Sequence, residues 1–192
     1  MGLIMHSLNN YHYTDKEIKA ILDSIIIIID TREQENEHIT DYFDKKKIAY
    51  RSQKLNTGDY SFCIPANSQL NIPREIHFDK DIAIERKATL EELSNNLTHD
   101  RQTFENELIR SLRLTRFNLM IENESGYKDI IENNYRSGYN NKAFHSSLIS
   151  LSLKYNVHLF FCDKNYSAIY IYSTLIYYLK NYLENKLYFL KK

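Results

Sequence analysis

Two short acidic motifs constrain this chain more than any other feature: Gly-Asp-Tyr at 58–60 opens one apolar segment, and Glu-Arg-Lys at 85–87 closes another. Successive side chains of a β-strand point to opposite faces, so Glu85 and Lys87 share a face and the arginine between them points away. If Asp59 lies on the neighbouring strand, two carboxylates and one ammonium converge. Such a set can hold a divalent metal ion against a phosphodiester. The motifs therefore predict a metal-dependent nuclease.

The composition sets broad limits on the fold and its partners. A chain of 192 residues with 43% hydrophobic and 26% charged residues is typical of one globular domain. The 25 basic and 25 acidic residues balance, so net charge gives no sign of a polyanion partner, although a local basic patch suffices for phosphate contacts. We expect no membrane contact and no small-molecule cofactor. Two cysteines without paired spacing favour a reducing, cytoplasmic compartment.

Hydrophobic periodicity predicts strands alternating with helices. We expect a flexible tail at 1–13 and a single domain at 14–192, with a motif-bearing core at 14–122 and a helical part with one strand at 123–192. The first helix begins at the capping box formed by Thr14 and Glu17. Residues Asn67 to Asp79 are polar and contain a proline, which is typical of a mobile loop or irregular hairpin.

The remaining elements follow from the same patterns. The predicted strands are Ile25–Ile29, Ile48–Leu55, Asp59–Ile64, Asp81–Lys87, Arg116–Glu122 and Val157–Cys162. The further predicted helices are Asn36–Lys47, Leu90–Leu97, Arg101–Leu114, Lys128–Asn133, one containing Phe144 to Tyr155, and Ser167–Lys191. This alternation indicates an α/β fold: a three-layer domain with a central mixed β-sheet flanked by helices.

The ordered motifs resemble the nuclease domain of the xeroderma pigmentosum group F (XPF) family of structure-specific endonucleases, which has the restriction-endonuclease-like fold. The matching pieces are Asp30-Thr31-Arg32-Glu33, Gly58-Asp59-Tyr60, Glu85-Arg86-Lys87 and Glu91, followed by an arginine-rich helix from Arg101. The family usually has Asp where this chain has Glu91, and Glu92 is an alternative acid. The helix-hairpin-helix modules of larger members have no counterpart here, so the chain is similar to compact phage or prokaryotic members. If it is phage-encoded, its compartment is the host cytoplasm.

The resemblance implies an endonuclease that hydrolyses DNA at branches or flaps during replication, recombination or repair. It implies a magnesium cofactor, for which Mn²⁺ can substitute, held by Asp59, Glu85, Asp30 and Glu91. Lys87 would orient or activate water, and Glu33 would hold a second metal ion or position Arg32. A turn stabilised by acids is the structural alternative for Asp30 and Glu33. The resemblance implies a functional role for Arg86. Its position on the opposite face of the strand favours instead a structural ion pair, to Glu33 or to an acid of the next helix.

DNA contacts are expected from four arginines: Arg32, Arg101, Arg110 and Arg113. Such residues position the nucleic-acid backbone rather than read its sequence. The alternatives are a catalytically silent DNA- or partner-binding module and a DNase without structure preference. The resemblance also implies a homodimer, for which the apolar rows at Phe144–Tyr155 and Leu175–Leu187 offer material for either a core or an interface.

Overall fold

A computed structural model of the chain describes residue 8 and residues 11–184. Its helices are α1 (Asp15–Asp23), α2 (Glu37–Lys46), α3 (Leu90–Leu97), α4 (Arg101–Ser111), α5 (Tyr127–Ile131), α6 (Asn141–Lys154) and α7 (Ser167–Leu183). Its strands are β1 (Ile26–Ile29), β2 (Tyr50–Ser52), β3 (Tyr60–Ile64), β4 (Ile76–His77), β5 (Ile82–Lys87), β6 (Arg116–Glu122) and β7 (His158–Cys162).

The strands form one mixed sheet in the order β2-β1-β3-β5-β6-β7, with β4 paired to β3 outside that path. Strand β3 runs antiparallel to both β1 and β5, whereas β5, β6 and β7 are parallel to one another. The predicted α/β class with a mixed central sheet is confirmed.

Helices cover the sheet on both faces. One core joins the sheet to α1, α2 and α7, and it contains Ile82 and Ile84 of β5. A second core joins the sheet to α3, α4, α5 and α6, and it contains Ala83. Because side chains alternate along β5, Glu85 and Lys87 continue the face of Ala83, on the side of α3 and α4.

The polar segment from 67 to 79 is more regular than expected. Ile76 and His77 pair with Ile64 and Cys63, which makes β4 a short edge addition to β3. The Asn67 side chain accepts hydrogen bonds from the backbone N–H groups of Gln69 and Leu70, so a single 3-10 turn forms there as well. The strand expected at 48–55 is shorter, because only 50–52 pair with β1.

Both ends of the expected domain lie partly outside the described residues. Leu8 is buried in the first core and Tyr13 packs against it, while most of the predicted tail at 1–13 is not described. Helix α7 is described to Leu183, so its predicted continuation to Lys191 stays a prediction. No helix of the described part is long and apolar enough to cross a membrane.

The apolar rows considered for a dimer face serve the core wherever they are described. In α6, Phe144, Leu148 and Leu151 are buried in the second core. In α7, Leu175 and Leu179 are fully buried in the first. The homodimer therefore stays a prediction that these rows do not support.

Candidate active site

The β3–β5 pairing brings the two acidic motifs face to face. Tyr60 lies opposite Ile84, so Asp59 lies opposite Glu85, and antiparallel partners project to the same side of a sheet. The Asp59 backbone N–H donates to the Ile84 carbonyl across 2.9 Å. The Asp59 carboxylate accepts from the backbone N–H of Arg86 across 2.8 Å. Two strands thus fix this carboxylate beside the Glu-Arg-Lys motif.

Gly58 allows this close approach. Its φ is +75°, a conformation that side chains with a Cβ rarely adopt. A Cβ there would lie 2.9 Å from the Ala83 Cβ and 3.2 Å from the Ile84 carbonyl oxygen. The Gly58 N–H points to helix α4 and donates to Glu107 Oε1 across 3.3 Å.

Lys87 closes the cluster from the end of β5. Its Nζ donates to Glu85 Oε1 and lies 3.6 Å from Glu92 Oε1. The side chains of Lys87 and Glu85 are only 8% and 6% exposed. Burial lowers the pKa of Lys87, but Glu85, Glu92 and Asp59 more than offset that effect, so its pKa is above the usual value. The amine is therefore a fixed positive charge.

The acids at this site outnumber the cations. Burial, with repulsion from Glu85, raises the pKa of Asp59 well above its usual range. Burial, partly offset by Lys87 and reinforced by Glu107, raises the pKa of Glu85 to about 7. Glu85 Oε2 is buried and accepts no hydrogen bond from the described residues. A cation placed between these two carboxylates would satisfy this oxygen and relieve their repulsion.

The acidic side chains of this site suit a metal ion that is bound by few protein ligands. Across residue 8 and residues 11–184, no group of three or more His, Cys, Asp or Glu side chains is arranged to hold a metal ion. Mg²⁺ is usually held by one or two carboxylates and keeps several water ligands. Asp59 and the bare oxygen of Glu85 match that requirement.

Asp30 lies beside Asp59 but its carboxylate is already engaged. Its backbone N–H donates to the Asp59 carbonyl across 2.7 Å. Oδ1 accepts from the backbone N–H and Nε of Arg32, at 2.9 and 2.6 Å, and Oδ2 accepts from the Leu55 N–H at 2.5 Å. Burial opposes ionisation, but these bonds prevail and lower the pKa of Asp30. The geometry favours a turn-stabilising role over the expected metal ligation.

Arg86 points to the opposite face and forms a buried ion network. Its Nε and Nη2 donate to the two oxygens of Glu122 at 2.9 and 3.1 Å. Nη1 donates to Glu33 at 2.5 Å, and Nη2 also donates to the Glu35 carbonyl at 3.0 Å. His38 contacts Glu122 from α2 across 2.8 Å. The arrangement matches the structural ion pair considered for Arg86, with the expected Glu33 contact present. The Glu33 carboxylate is thus used by Arg86, whereas the expected roles for it were to hold a second metal ion, to position Arg32 or to stabilise a turn.

Glu91 and Glu92, the two acids that follow Lys87, point to different parts of the structure. Glu91 Oε1 accepts from the Arg136 backbone N–H across 2.7 Å, which directs it to the loop before α6. Glu92 instead lies near Lys87, and its Oε2 accepts from the Ala88 N–H across 2.8 Å. The structure thus brings Glu92 to the cluster, and Glu91, the expected metal ligand, is not part of it.

The expected DNA-binding arginines are exposed. Arg32 is held by Asp30 yet its side chain is 61% exposed, and both Asp59 and Glu107 act on it electrostatically. Arg110 lies three residues after Glu107, so both occupy one side of α4. Arg101 pairs with Glu105 at 2.9 Å, and Arg113 is exposed beyond the end of α4. Arg32 is therefore linked electrostatically to the acidic cluster, and Arg110 shares the side of α4 that carries Glu107.

Two residues of this region escaped the sequence reasoning. Glu107 reaches Gly58 from a helix 49 positions along the chain, and Glu122 reaches Arg86 from the end of β6, 36 positions along. Neither belongs to a motif. The position of Glu122 at the carboxyl end of β6 is the one feature that could have indicated it, because the carboxyl ends of parallel strands meet at one edge of the sheet.

A comparison with known protein families gives a match over most of the chain. The family model of the ERCC4 domain matches residues 29–174. The chain belongs to the ERCC4 domain family. The XPF resemblance is confirmed, and with it the assignment to a family of DNA nucleases. No curated protein matches the sequence significantly.

Solved structures place this ERCC4 domain on a known fold. XPF from Aeropyrum pernix superimposes with a TM-score of 0.55 at 18% identity, covering 77% of this chain and 58% of that one. XPF from Aeropyrum pernix in complex with DNA gives a TM-score of 0.57 at 19% identity, covering 81% and 65%. The chain thus spans about three fifths of those proteins, and at this identity the likeness shows the fold.

Proposed function

We propose that this protein is a magnesium-dependent DNA endonuclease that hydrolyses phosphodiester bonds. The observation that carries the proposal is the pair of facing carboxylates, Asp59 and Glu85, with a buried oxygen lacking a hydrogen bond and a charged Lys87 beside them. Membership of the ERCC4 domain family supports nuclease chemistry for such a site.

Asp59 and Glu85 would hold the metal ion, with Mn²⁺ as a substitute for Mg²⁺. When bound, a divalent ion supplies a water molecule of lowered pKa and offsets charge on the phosphate. The raised pKa values of both acids mean that ion binding competes with protons at this site. Asp30 and Glu91 are left out of this set, because other donors occupy their carboxylates.

Lys87 acts as a fixed cation rather than a base. Its surrounding acids keep it protonated, so it cannot accept a proton from water near neutral pH. Its ammonium can donate hydrogen bonds to the attacking water or to a phosphate oxygen, which orients the reactants and stabilises added negative charge. Glu85 and Glu92 hold the amine in place.

Arg32 and Arg110 would guide the DNA backbone to the acids. Both are exposed; Arg32 interacts electrostatically with Asp59 and Glu107, and Arg110 lies on the side of α4 that carries Glu107. A cation near the cluster counters the repulsion between acidic side chains and phosphates. The solved relative in complex with DNA supports a nucleic-acid substrate. Preference for branched or flapped DNA, with a role in replication, recombination or repair, is part of the proposal by family resemblance.

Cleavage assays on linear, flap, fork and four-way DNA, in magnesium and in EDTA, test this function. We expect magnesium-dependent cutting by the parent, loss of at least about a hundredfold for Asp59→Asn and Glu85→Gln, and unchanged rates for the exposed Glu132→Gln control. Equal cutting of all four substrates would indicate a DNase without structure preference. DNA binding without cleavage in any metal would instead indicate a silent module.

A further inference from the structure

A second polar cleft lies beside edge strand β7, away from the acidic cluster. It has a volume of about 520 Å³, and its walls include Arg116, Asn118, His158, Phe160 and Tyr170. Arg116 and Asn118 pair in register with Ile82 and Ile84, so they lie on the sheet face opposite Glu85 and Lys87. The cleft is therefore separate from the proposed nuclease site.

Arg116 is a half-buried cation without an acidic partner among the described residues. Its Nη1 donates to His158 Nε2 across 2.7 Å, and its Nε donates to Asn118 Oδ1 across 3.1 Å. Burial lowers the pKa of Arg116, and no carboxylate counters that effect. Half-buried guanidinium groups ordinarily pair with an anion, so this one is left with unused donors.

Asn118 adds a donor that is also unused. The residue is 1% exposed, and its buried Nδ2 has no hydrogen-bond partner in the described structure. Oδ1 of Asn118 accepts a hydrogen bond from Arg116. Exchanging the oxygen and nitrogen of this amide would place its NH₂ group against the Arg116 N–H, so the orientation of the amide is fixed. Among the residues that the structure describes, the polar wall of the cleft thus presents donors and no carboxylate.

A flat aromatic surface borders these donors. The rings of Phe160 and Tyr170 stack with centroids 3.7 Å apart and planes 6° from parallel. Phe160 is nonetheless 38% exposed, so part of the stacked pair is open to solvent. An aromatic or planar group can pack against such a surface.

We propose that this cleft binds an organic anion in which a carboxylate or phosphate is joined to a flat apolar group. The anionic group contacts Arg116 and the Asn118 amide, and the flat group packs against Phe160. The volume is ample for a small ligand. Either a free small acid or an acidic residue next to an aromatic one in a peptide carries this chemistry.

Calorimetric titration of the full chain with phenylacetate and phenyl phosphate tests the proposal. We expect both anions to bind, and the neutral phenylacetamide to bind at least about tenfold more weakly, because a charge-assisted bond is lost. Arg116→Gln should weaken anion binding at least about tenfold, while the exposed Lys142→Gln leaves it unchanged. Phe160→Ala should weaken phenyl phosphate more than inorganic phosphate.

Nuclear magnetic resonance on the parent keeps the test independent of variant folding. Phenyl phosphate should shift the side-chain amide signals of Asn118 and the Nε–H of Arg116. Absence of these shifts up to about 10 mM ligand, or equal affinity for phenylacetamide, would overturn the proposal. Tighter binding of a capped Phe-Asp dipeptide than of phenylacetate identifies a peptide source; the reverse order identifies a free acid.

Discussion

The Asp59 carboxylate accepts a hydrogen bond of 2.8 Å from the backbone N–H of Arg86. Because Arg86 stands between Glu85 and Lys87, this one bond fixes the acid of the first motif against the strand of the second. Burial and repulsion from neighbouring acids raise the pKa values of both Asp59 and Glu85 in this arrangement. Because these acids outnumber the nearby cation Lys87, the protein should be less stable than variants in which one of the two acids is replaced by a neutral side chain.

Asp59→Asn should therefore stabilise the metal-free protein at pH 8, because burial and repulsion from Glu85 raise the pKa of Asp59 and its ionised carboxylate opposes folding. Stabilising substitutions of this kind ordinarily contribute about 0.5–2 kcal/mol. Asp30→Asn is the matched control. It should destabilise the fold, because the hydrogen bonds of Asp30 favour its ionised form. Urea denaturation in EDTA measures both changes. Destabilisation by Asp59→Asn would show that this acid is not strained in the folded state.

Metal-free stability should fall as pH rises from about 5 to 8. Between the unfolded pKa of Glu85 and its folded value of about 7, the folded state retains a proton that the unfolded chain has released. The folded state therefore loses stability until that proton has dissociated. Glu85→Gln should flatten this slope, and Mg²⁺ should offset it at the alkaline end. Urea midpoints across this pH range, with and without Mg²⁺, provide the measurement; a rising or flat parent profile would contradict it.

The sequence predicted the α/β fold from strands alternating with helices, and side-chain alternation along a strand predicted that Glu85 and Lys87 share a face. Their meeting with Asp59 was conditional on Asp59 lying on a neighbouring strand, and the β3–β5 pairing meets that condition. Alternation also indicated that Arg86 faces away from them. The partners of these groups were not predictable, since Glu107 and Glu122 arrive from elements far along the chain. Asp30 shows a different limit: its carboxylate is used by nearby backbone donors, and spacing alone does not reveal that.

Gly58→Ala should reduce both stability and cleavage. The added Cβ would lie 2.9 Å from Ala83 Cβ at a positive φ, so the turn that presents Asp59 must shift. We expect a loss of roughly 1–3 kcal/mol in unfolding free energy. Gly138→Ala is the control, because nothing lies within 4 Å of its added Cβ. Thermal or urea unfolding of both variants gives the comparison, and similar effects at the two sites would contradict the proposed turn requirement.

The Arg86→Met variant should be less stable than the unaltered protein, and not only less active. Removing the guanidinium leaves the buried Glu122 and the mostly buried Glu33 without their main partner, which costs about 3–5 kcal/mol. The same change at exposed Arg101, whose ion pair among the described residues is with Glu105, should cost less than about 1 kcal/mol. Urea denaturation distinguishes the two roles: a stable but inactive Arg86→Met protein would assign Arg86 to catalysis instead.

Electron paramagnetic resonance of Mn²⁺, as a substitute for Mg²⁺, tests the metal site most directly. Titration of Mn²⁺ into the parent, Asp59→Asn and Glu85→Gln at pH 8 reports the ion bound to each. We predict binding by the parent and at least about tenfold weaker binding by each variant, because each loses one of two carboxylate ligands. Equal Mn²⁺ affinity in all three proteins would contradict a metal site between Asp59 and Glu85.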